Sequence, residues 1–126
     1  GDILTNLDLS KFYKESLEAR YDACVSYKTI VTKSEFGQLE FKDDKIVGIK
    51  EKATQSQEVM AGIYFFQPTI FDFIPKNIYF GMDELVITLA GSDLDIGSME
   101  ILDYWMDIGQ VSDYRVAVEG WNKNFL

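Results

Sequence analysis

Residues 59–66 constrain the fold of this chain more than any other segment, because the run is apolar or aromatic throughout except for one glycine. A membrane-spanning helix needs roughly 20 such residues, so the run is far too short to cross a bilayer. Its length and composition suit a β-strand that is buried on both faces. We therefore expect a fully buried strand at residues 59–66.

Strand-like and helix-like segments are mixed along the rest of the chain. Asp8 is expected to cap a helix, because apolar residues follow it at helical spacing to about Arg20. The polar residues 42–45 separate two strand-like segments and predict a β-hairpin. Further strands are expected at residues 1–5, 23–31, 96–101 and 104–108, and further helices at residues 69–74, at 82–91 and from a cap at Ser112 onward. This mixture predicts an α/β or α+β fold.

Composition excludes several classes of function. The chain has 126 residues with no linker or repeat, which fits one domain or a piece of one, and its net charge is −9. Such an acidic chain lacks the basic surface that nucleic acids and anionic membranes require, so we expect neither as a partner. There is no histidine, which excludes histidine-based acid–base catalysis and Zn–His sites. The single cysteine, Cys24, and the absence of a visible signal peptide or membrane span suggest a cytoplasmic location.

Five short motifs follow one another in a recognisable order. They are Gly1-Asp2, Phe36-Gly37-Gln38-Leu39-Glu40-Phe41, Ile49-Lys50-Glu51-Lys52, Ala61-Gly62-Ile63-Tyr64 and Tyr104-Trp105-Met106-Asp107-Ile108-Gly109. Together they resemble the C-terminal half of the sugar-1-phosphate nucleotidyltransferases, such as mannose-1-phosphate guanylyltransferases and glucose-1-phosphate thymidylyltransferases. The resemblance runs from Gly1 to about Tyr114. It implies part of a Rossmann-like α/β nucleotidyltransferase domain, with a mixed sheet flanked by helices.

The resemblance also implies an activity and a missing part. Members of the family join a nucleoside triphosphate to a sugar 1-phosphate, release pyrophosphate, and so make activated sugars for polysaccharide biosynthesis. Their glycine-rich loop with an arginine, followed by a Pro-Lys pair, is absent from this sequence. We therefore expect residues 1–126 to be the sugar-phosphate and metal-binding portion, without the nucleotide-binding half and inactive alone. A non-catalytic regulatory or binding module with the same fold, or an unrelated acidic interaction domain, remains the alternative.

Asp2 and Asp107 resemble the two metal-binding aspartates of the family. Mg²⁺ is commonly held by one or two carboxylates together with water and substrate oxygens, so a pair suffices if the fold brings them together. Without the resemblance, Asp2 would be interpreted as a turn or capping residue and Asp107 as a surface strand end. No residue is assigned a catalytic role as acid or base, because the sugar phosphate nucleophile is already anionic.

Glu51 and Lys52 resemble the pair that holds the sugar hydroxyls and the sugar phosphate, respectively. Both contacts would be charge-assisted. The alternative is an exposed strand end that carries ordinary surface charges. Strand alternation would put the two side chains on opposite faces, so both serve one pocket only if the strand ends or twists there. Ala53 stands where the family commonly has proline, which favours a looser turn.

Gly37, Gly62 and Trp105 complete the predicted sugar site. The glycines resemble positions where the backbone approaches the sugar, with a bulge or tight packing as the alternative. Trp105 would share a strand face with Asp107 and could form a wall of the pocket, with a place in the core as the alternative. Met60 replaces a polar residue of many relatives and removes one sugar contact or changes the sugar preference. Neither the sugar nor the base follows from this sequence.

A chain that carries only part of a sheet would leave a strand edge and apolar surface uncovered. We therefore expect homo-oligomers, exchange of elements between copies, or aggregation.

Overall fold

The computed structural model describes residues 2–51 and 53–125. Its strands are β1 (Ile3–Thr5), β2 (Ala23–Lys33), β3 (Gln38–Lys42), β4 (Lys45–Lys50), β5 (Thr54–Phe66), β6 (Ile96–Glu100) and β7 (Trp105–Asp107). Its helices are α1 (Leu9–Glu18), α2 (Met82–Ala90) and α3 (Val111–Phe125), with a 3₁₀ helix at Pro68–Phe73. Each element expected from the sequence is present. Among the described residues, no helix combines the length and the apolar character that crossing a bilayer requires.

The chain divides into two compact units, of which the larger contains residues 2–28 and 60–125 and the smaller residues 29–59. Strands β2 and β5 each begin in one unit and end in the other. The three-stranded sheet has the order β5-β2-β6, and a separate two-stranded ladder joins β1 to β7. Strand β6 runs parallel to β2, whereas β7 runs antiparallel to β1. The fold is therefore mixed α/β, as expected.

Two apolar clusters form the core of the larger unit. In one, α2 and the 3₁₀ helix pack on β2 through the buried residues Ala23, Ile70, Leu85 and Leu89. In the other, α1 packs on β2 and β5 through Phe12, Cys24 and Phe65. These contacts between helices and a sheet bury the apolar faces that the sequence pattern predicted.

Local sequence explains where α1 begins. The Asp8 carboxylate accepts a hydrogen bond from the Lys11 N–H at 3.0 Å, as an N-cap residue does. The expected cap at Ser112 is wrong, because α3 already begins at Val111. There the Asp113 carboxylate accepts a hydrogen bond from the Gln110 N–H at 2.8 Å, so an acidic side chain reaching back replaces the hydroxyl cap.

Strand β5 differs from the expectation of a run buried on both faces. Within residues 59–66 only Ala61 and Phe65 are buried, and Met60 is 46% exposed. The strand lies at the edge of the three-stranded sheet, so it has one strand neighbour in that sheet. It also begins at Thr54, earlier than expected, because hydrogen bonding rather than apolar side chains defines its polar first half.

The smaller unit contains the β3–β4 hairpin. Lys42 pairs with Lys45 across a two-residue turn, in which Asp43 and Asp44 have φ of 48° and 62°. Two successive left-handed residues characterise the turn that matches the twist of a hairpin. A β-bulge next to Glu40 shifts the register beyond it. The hairpin predicted from the sequence is therefore confirmed.

Candidate functional site

The two predicted metal-binding aspartates lie at the same end of the β1–β7 ladder. Antiparallel pairing sets Ile3 opposite Asp107, and the Ile108 N–H donates to the Asp2 carbonyl at 2.8 Å. Asp2 therefore precedes β1 at the edge where Asp107 ends β7. Both aspartates are exposed. The fold thus brings together two residues that the sequence separates by most of the chain.

The pleat of the ladder divides its side chains between two faces. Ile3, Trp105 and Asp107 lie on one face, because Ile3 pairs with Asp107 and strand side chains alternate. Leu4 and Ile108 lie on the other face, where they line an apolar groove against α3. The predicted sharing of one face by Trp105 and Asp107 agrees with this register. Because Asp2 stands outside the strand, the pleat does not fix the direction of its side chain.

The chemistry of Asp2 and Asp107 suits a hard divalent cation. Among the described residues, neither carboxylate takes part in an ion pair with a lysine or arginine. The described part of the chain holds no group of three or more acidic, cysteine or histidine ligands. A metal bound here would therefore take two carboxylates at most and fill its other positions with water and substrate oxygens, as Mg²⁺ does.

Trp105 lies on the same face of the ladder as Asp107, and Gly62 lies next to that face. The Trp105 indole Nε1 donates to the Ala61 carbonyl at 2.8 Å, and the tryptophan is half-buried. Gly62 has φ of 77°, and a Cβ added to it would lie 3.3 Å from Cγ1 of Ile3. Backbone conformation and close packing therefore already require glycine at position 62. Its role in the approach of a sugar stays a prediction.

In the smaller unit, Gly37 and Glu51 lie together. They line a concavity of about 360 Å³ with Glu35 and Ile49. A Cβ added to Gly37 would lie 3.3 Å from Cγ2 of Ile49, so a larger residue would displace the wall of this concavity. The concavity is small, but it has room for one polar edge of a ring-shaped ligand.

The strand before Glu51 ends one residue earlier than residues 46–51 suggested, which meets the condition for Glu51 to face the pocket. Strand β4 ends at Lys50, and Glu51 lies in the turn that follows, where strand alternation no longer applies. Lys50 itself is paired with Glu40 at 2.8 Å, a contact that raises the pKa of the Lys50 ammonium. Lys52, the predicted phosphate contact, lies outside the described residues.

The larger groove of about 400 Å³ contains none of the predicted site residues. It lies on the face of the ladder opposite to Asp107 and is lined by Leu4, Ile108, Trp121 and other side chains of α3. Among the described residues of this lining, Tyr114, Trp121 and Asn122 carry polar groups and none is charged. These residues therefore offer no charged side chain that would hold a phosphate or a cation.

The chain is similar to known proteins over most of its length. The sequence model of a family described as "Nucleotidyl transferase" matches residues 1–124.

The chain belongs to the nucleotidyl transferase family.

Curated relatives of this chain act on sugar phosphates according to their names. A UTP–glucose-1-phosphate uridylyltransferase from Synechocystis sp. is 32% identical over 95% of this chain and 33% of its own length. A glucose-1-phosphate thymidylyltransferase from Streptomyces antibioticus is 38% identical over 64% of this chain and 25% of its own length. This chain therefore spans about a third or less of the length of these two relatives.

Solved structures show the same fold. HddC from Yersinia pseudotuberculosis superposes on this chain with a TM-score of 0.61 and 22% sequence identity. The superposition covers 95% of this chain and 52% of the other. The expected Rossmann-like nucleotidyltransferase fold is therefore confirmed.

Sequence reasoning missed two polar residues, Thr5 and Lys28, that support the ladder. The Thr5 hydroxyl donates to the Tyr104 carbonyl at 2.6 Å, and the Lys28 ammonium donates to the carbonyls of Ile101 and Asp103. Their partners are backbone atoms far along the chain, so no short sequence motif indicates these contacts. A lysine within the strand-forming run at residues 23–31 was the one available signal.

Proposed function

We propose that this chain is the sugar 1-phosphate and metal-binding portion of a sugar-1-phosphate nucleotidyltransferase. The whole enzyme would join a nucleoside triphosphate to a sugar 1-phosphate and release pyrophosphate. The observation that carries the proposal is the antiparallel register of β1 and β7, which sets Ile3 opposite Asp107. The names of the curated relatives support the substrate class.

The reaction needs no general base. An anionic oxygen of the sugar 1-phosphate attacks the α-phosphorus in line, a new P–O bond forms, and the bond to the bridging oxygen of pyrophosphate breaks. The leaving pyrophosphate carries away the electron pair. Because little proton transfer is involved, positioning and charge neutralisation supply most of the rate. A chain without histidine can therefore take part in this chemistry.

Asp2 and Asp107 are the residues that we propose to hold Mg²⁺. Their support is their common position at one ladder end and the absence of an ion-pair partner for either carboxylate among the described residues. When bound, Mg²⁺ would neutralise phosphate charge. Trp105, on the same face as Asp107, would exclude water from that side of the substrate.

Residues of the smaller unit would select the sugar. Glu51 would accept hydrogen bonds from sugar hydroxyls, and Gly37 would leave room for the ring, since both line one concavity. Gly62 would let backbone groups approach the substrate. Lys52 would pair with the sugar phosphate, a role that rests on the resemblance of the Glu51-Lys52 motif alone.

The nucleoside triphosphate would be held by residues other than these. With 21 acidic and 12 basic residues, the chain is expected to bind a polyanion poorly without outside cations. We therefore propose that a nucleotide-binding half accompanies these residues in the whole protein. A cytoplasmic location, homo-oligomeric assembly and a role in polysaccharide biosynthesis belong to the same proposal.

Calorimetric titration tests this proposal in the full natural polypeptide that contains these residues. Glucose 1-phosphate and mannose 1-phosphate would be titrated with and without Mg²⁺, in the natural protein and in Asp107→Asn and Asp72→Asn variants. Asp72 is an exposed aspartate of the 3₁₀ helix and serves as the matched control.

We expect Mg²⁺-dependent binding of one sugar phosphate that Asp107→Asn weakens by about 10-fold or more and Asp72→Asn leaves unchanged. The sugar that binds would identify the substrate. Binding that is indifferent to both Mg²⁺ and Asp107, or no binding by a folded full-length protein, would overturn the proposal.

A further inference from the structure

We propose that Lys28 is a positioning residue that holds strand β7, and with it Trp105 and Asp107, in register against β1. Part of its expected effect rests on the proposed function, because Asp107 matters only if it binds metal. The effect of Lys28 on the position of β7 depends only on hydrogen bonds within the larger unit. Nothing in the family motifs points to a lysine at this position.

Lys28 makes two hydrogen bonds to the segment that leads into β7. Its Nζ donates to the Ile101 carbonyl at 2.7 Å and to the Asp103 carbonyl at 3.0 Å. Each bond joins residues more than 70 positions apart in sequence. Because the donor is an ammonium group, both bonds are charge-assisted and stronger than bonds between neutral groups.

The segment between Ile101 and β7 has few other anchors. Leu102 is 82% exposed and Asp103 is exposed, so neither side chain packs into the core. Beyond Lys28, the backbone of this segment is held at the Tyr104 carbonyl, which accepts from the Thr5 hydroxyl and, at 3.3 Å, from the Asn6 N–H. At the two ends of the segment, Ile101 is buried and the Tyr104 ring packs on Phe125 with 5.4 Å between the ring centroids, so the Lys28 bonds hold the exposed stretch between them.

The path matters because the β1–β7 ladder is short. It contains three residue pairs, too few to fix a register by themselves. A slip by one residue would move Trp105 and Asp107 to the opposite face of the ladder, away from Gly62 and toward the apolar groove. Thr5 belongs to the ladder itself and would move with β1, whereas Lys28 belongs to another sheet.

Lys28 thus ties the ladder to the three-stranded sheet. It lies on β2, the central strand, and its neighbour Tyr27 accepts a hydrogen bond from the Ile101 N–H at 2.8 Å. The central strand therefore holds the N–H of Ile101 and, through Lys28, the carbonyls of Ile101 and Asp103. The arrangement fixes where β7 begins and consequently where Asp107 ends it.

The test uses the full natural polypeptide labelled with 5-fluorotryptophan. The ¹⁹F resonance of Trp105 is identified by its loss in a Trp105→Phe variant. Lys28→Met keeps the length of the side chain and removes both hydrogen bonds, Lys28→Arg restores a cationic donor, and Lys11→Met is a matched control at an exposed lysine of α1. Mg²⁺-dependent binding of the sugar phosphate is measured in parallel.

We expect Lys28→Met to shift or broaden the Trp105 resonance and to weaken Mg²⁺-dependent binding by about 10-fold or more. Lys28→Arg should recover both properties, and Lys11→Met should change neither. An unchanged Trp105 resonance in folded Lys28→Met, or failure of Lys28→Arg to recover it, would overturn the proposal. If Lys28→Met does not fold, Lys28→Gln, with a shorter side chain that can donate to one carbonyl, is assessed by the same criteria.

The two measurements separate this proposal from the proposed function. If the natural protein binds no sugar phosphate, the proposed function fails, while the Trp105 resonance still decides the role of Lys28. If the natural protein binds a sugar phosphate with Mg²⁺, but Lys28→Met changes neither the Trp105 resonance nor the affinity, the proposed function stands and the positioning role of Lys28 fails.

Discussion

The backbone conformation of Gly62 limits which residues are tolerated at position 62, beside the candidate metal site. Its φ of 77° lies in the left-handed region, which costs glycine little and other residues more. A Cβ at this position would also lie 3.3 Å from Cγ1 of Ile3, closer than an ordinary van der Waals contact. Strain and crowding therefore act together.

We expect Gly62→Ala to lower the free energy of unfolding by about 1–3 kcal/mol. Gly109→Ala is the control, because a Cβ there meets no atom within 4 Å and Gly109 has no positive φ. The control should stay within about 0.5 kcal/mol of the natural protein. Urea denaturation measures both changes, and equal effects at the two positions would refute the strain argument.

Cys24 is a second residue whose surroundings determine its chemistry. Burial raises the pKa of its thiol above the ordinary 9.0, although a hydrogen bond with Ser16 partly opposes the shift. It lies in the strand-forming run at residues 23–31 and is a free, buried cysteine. The contacts of Lys28 could not be predicted from the sequence, because its partners are distant backbone carbonyls.

The raised pKa of Cys24 predicts a fall in stability at alkaline pH. Just above pH 9 the unfolded chain loses the thiol proton while the folded chain keeps it, so stability decreases as pH rises through this window. Cys24→Ala should lose less melting temperature between pH 8 and pH 10.5 than the natural protein, since both share the other titrating groups. Parallel melting curves at both pH values would contradict this expectation.

The β3–β4 hairpin shows that turn chemistry alone can specify an element. Two acidic residues in left-handed conformation form its turn, and charged flanking residues mark it in the sequence. By contrast, the polar first half of β5 gave no sequence signal, because its strand character comes from pairing and not from apolar alternation. The apolar half of β5 was expected to be buried on both faces, whereas only Ala61 and Phe65 are buried there.

The turn also predicts a stabilising change. Asp44→Gly should raise the free energy of unfolding by about 0.5–1 kcal/mol, because glycine adopts the φ of 62° without steric cost. Asp44→Ala should change stability in the opposite direction, because alanine tolerates this φ less well than aspartate. Chemical denaturation of both variants measures the difference, and the same sign for the two would count against the assigned turn geometry.

Charge is unevenly divided between the two units. Residues 29–59 hold five of the 12 basic and six of the 21 acidic residues, so nearly all of the net charge of −9 belongs to the larger unit. The larger unit also exposes apolar side chains on α3, including Tyr114, Val118 and Trp121. Repulsion and apolar attraction between copies therefore compete.

Salt should consequently strengthen self-association of this 126-residue chain. At low ionic strength the like charges of two copies repel, and at 0.5 M salt the screening length falls to a few ångströms. Light scattering should report a higher mass at high salt than at low salt. A mass equal to one copy under both conditions would exclude the homo-oligomer expected from the sequence.

The five ordered motifs were sufficient to predict the family and the fold, because their described residues lie in or next to the strands of this architecture. The motifs could not reveal which contacts hold β1 and β7 in place, because this ladder pairs residues about 100 positions apart. The Lys28 contacts span a similar separation in sequence. Long-range pairing follows from the complete chain path and leaves no local trace in composition.

The chain leaves the larger unit along β2 and returns to it along β5, and these strands are neighbours in one sheet. A chain segment whose two ends are adjacent can change in length or sequence without altering the remainder of the sheet. Residues 29–59 would thus be exchangeable between relatives as a cassette. Replacing this segment would then change the proposed sugar contacts, while Asp2 and Asp107, the proposed metal ligands, stay unchanged.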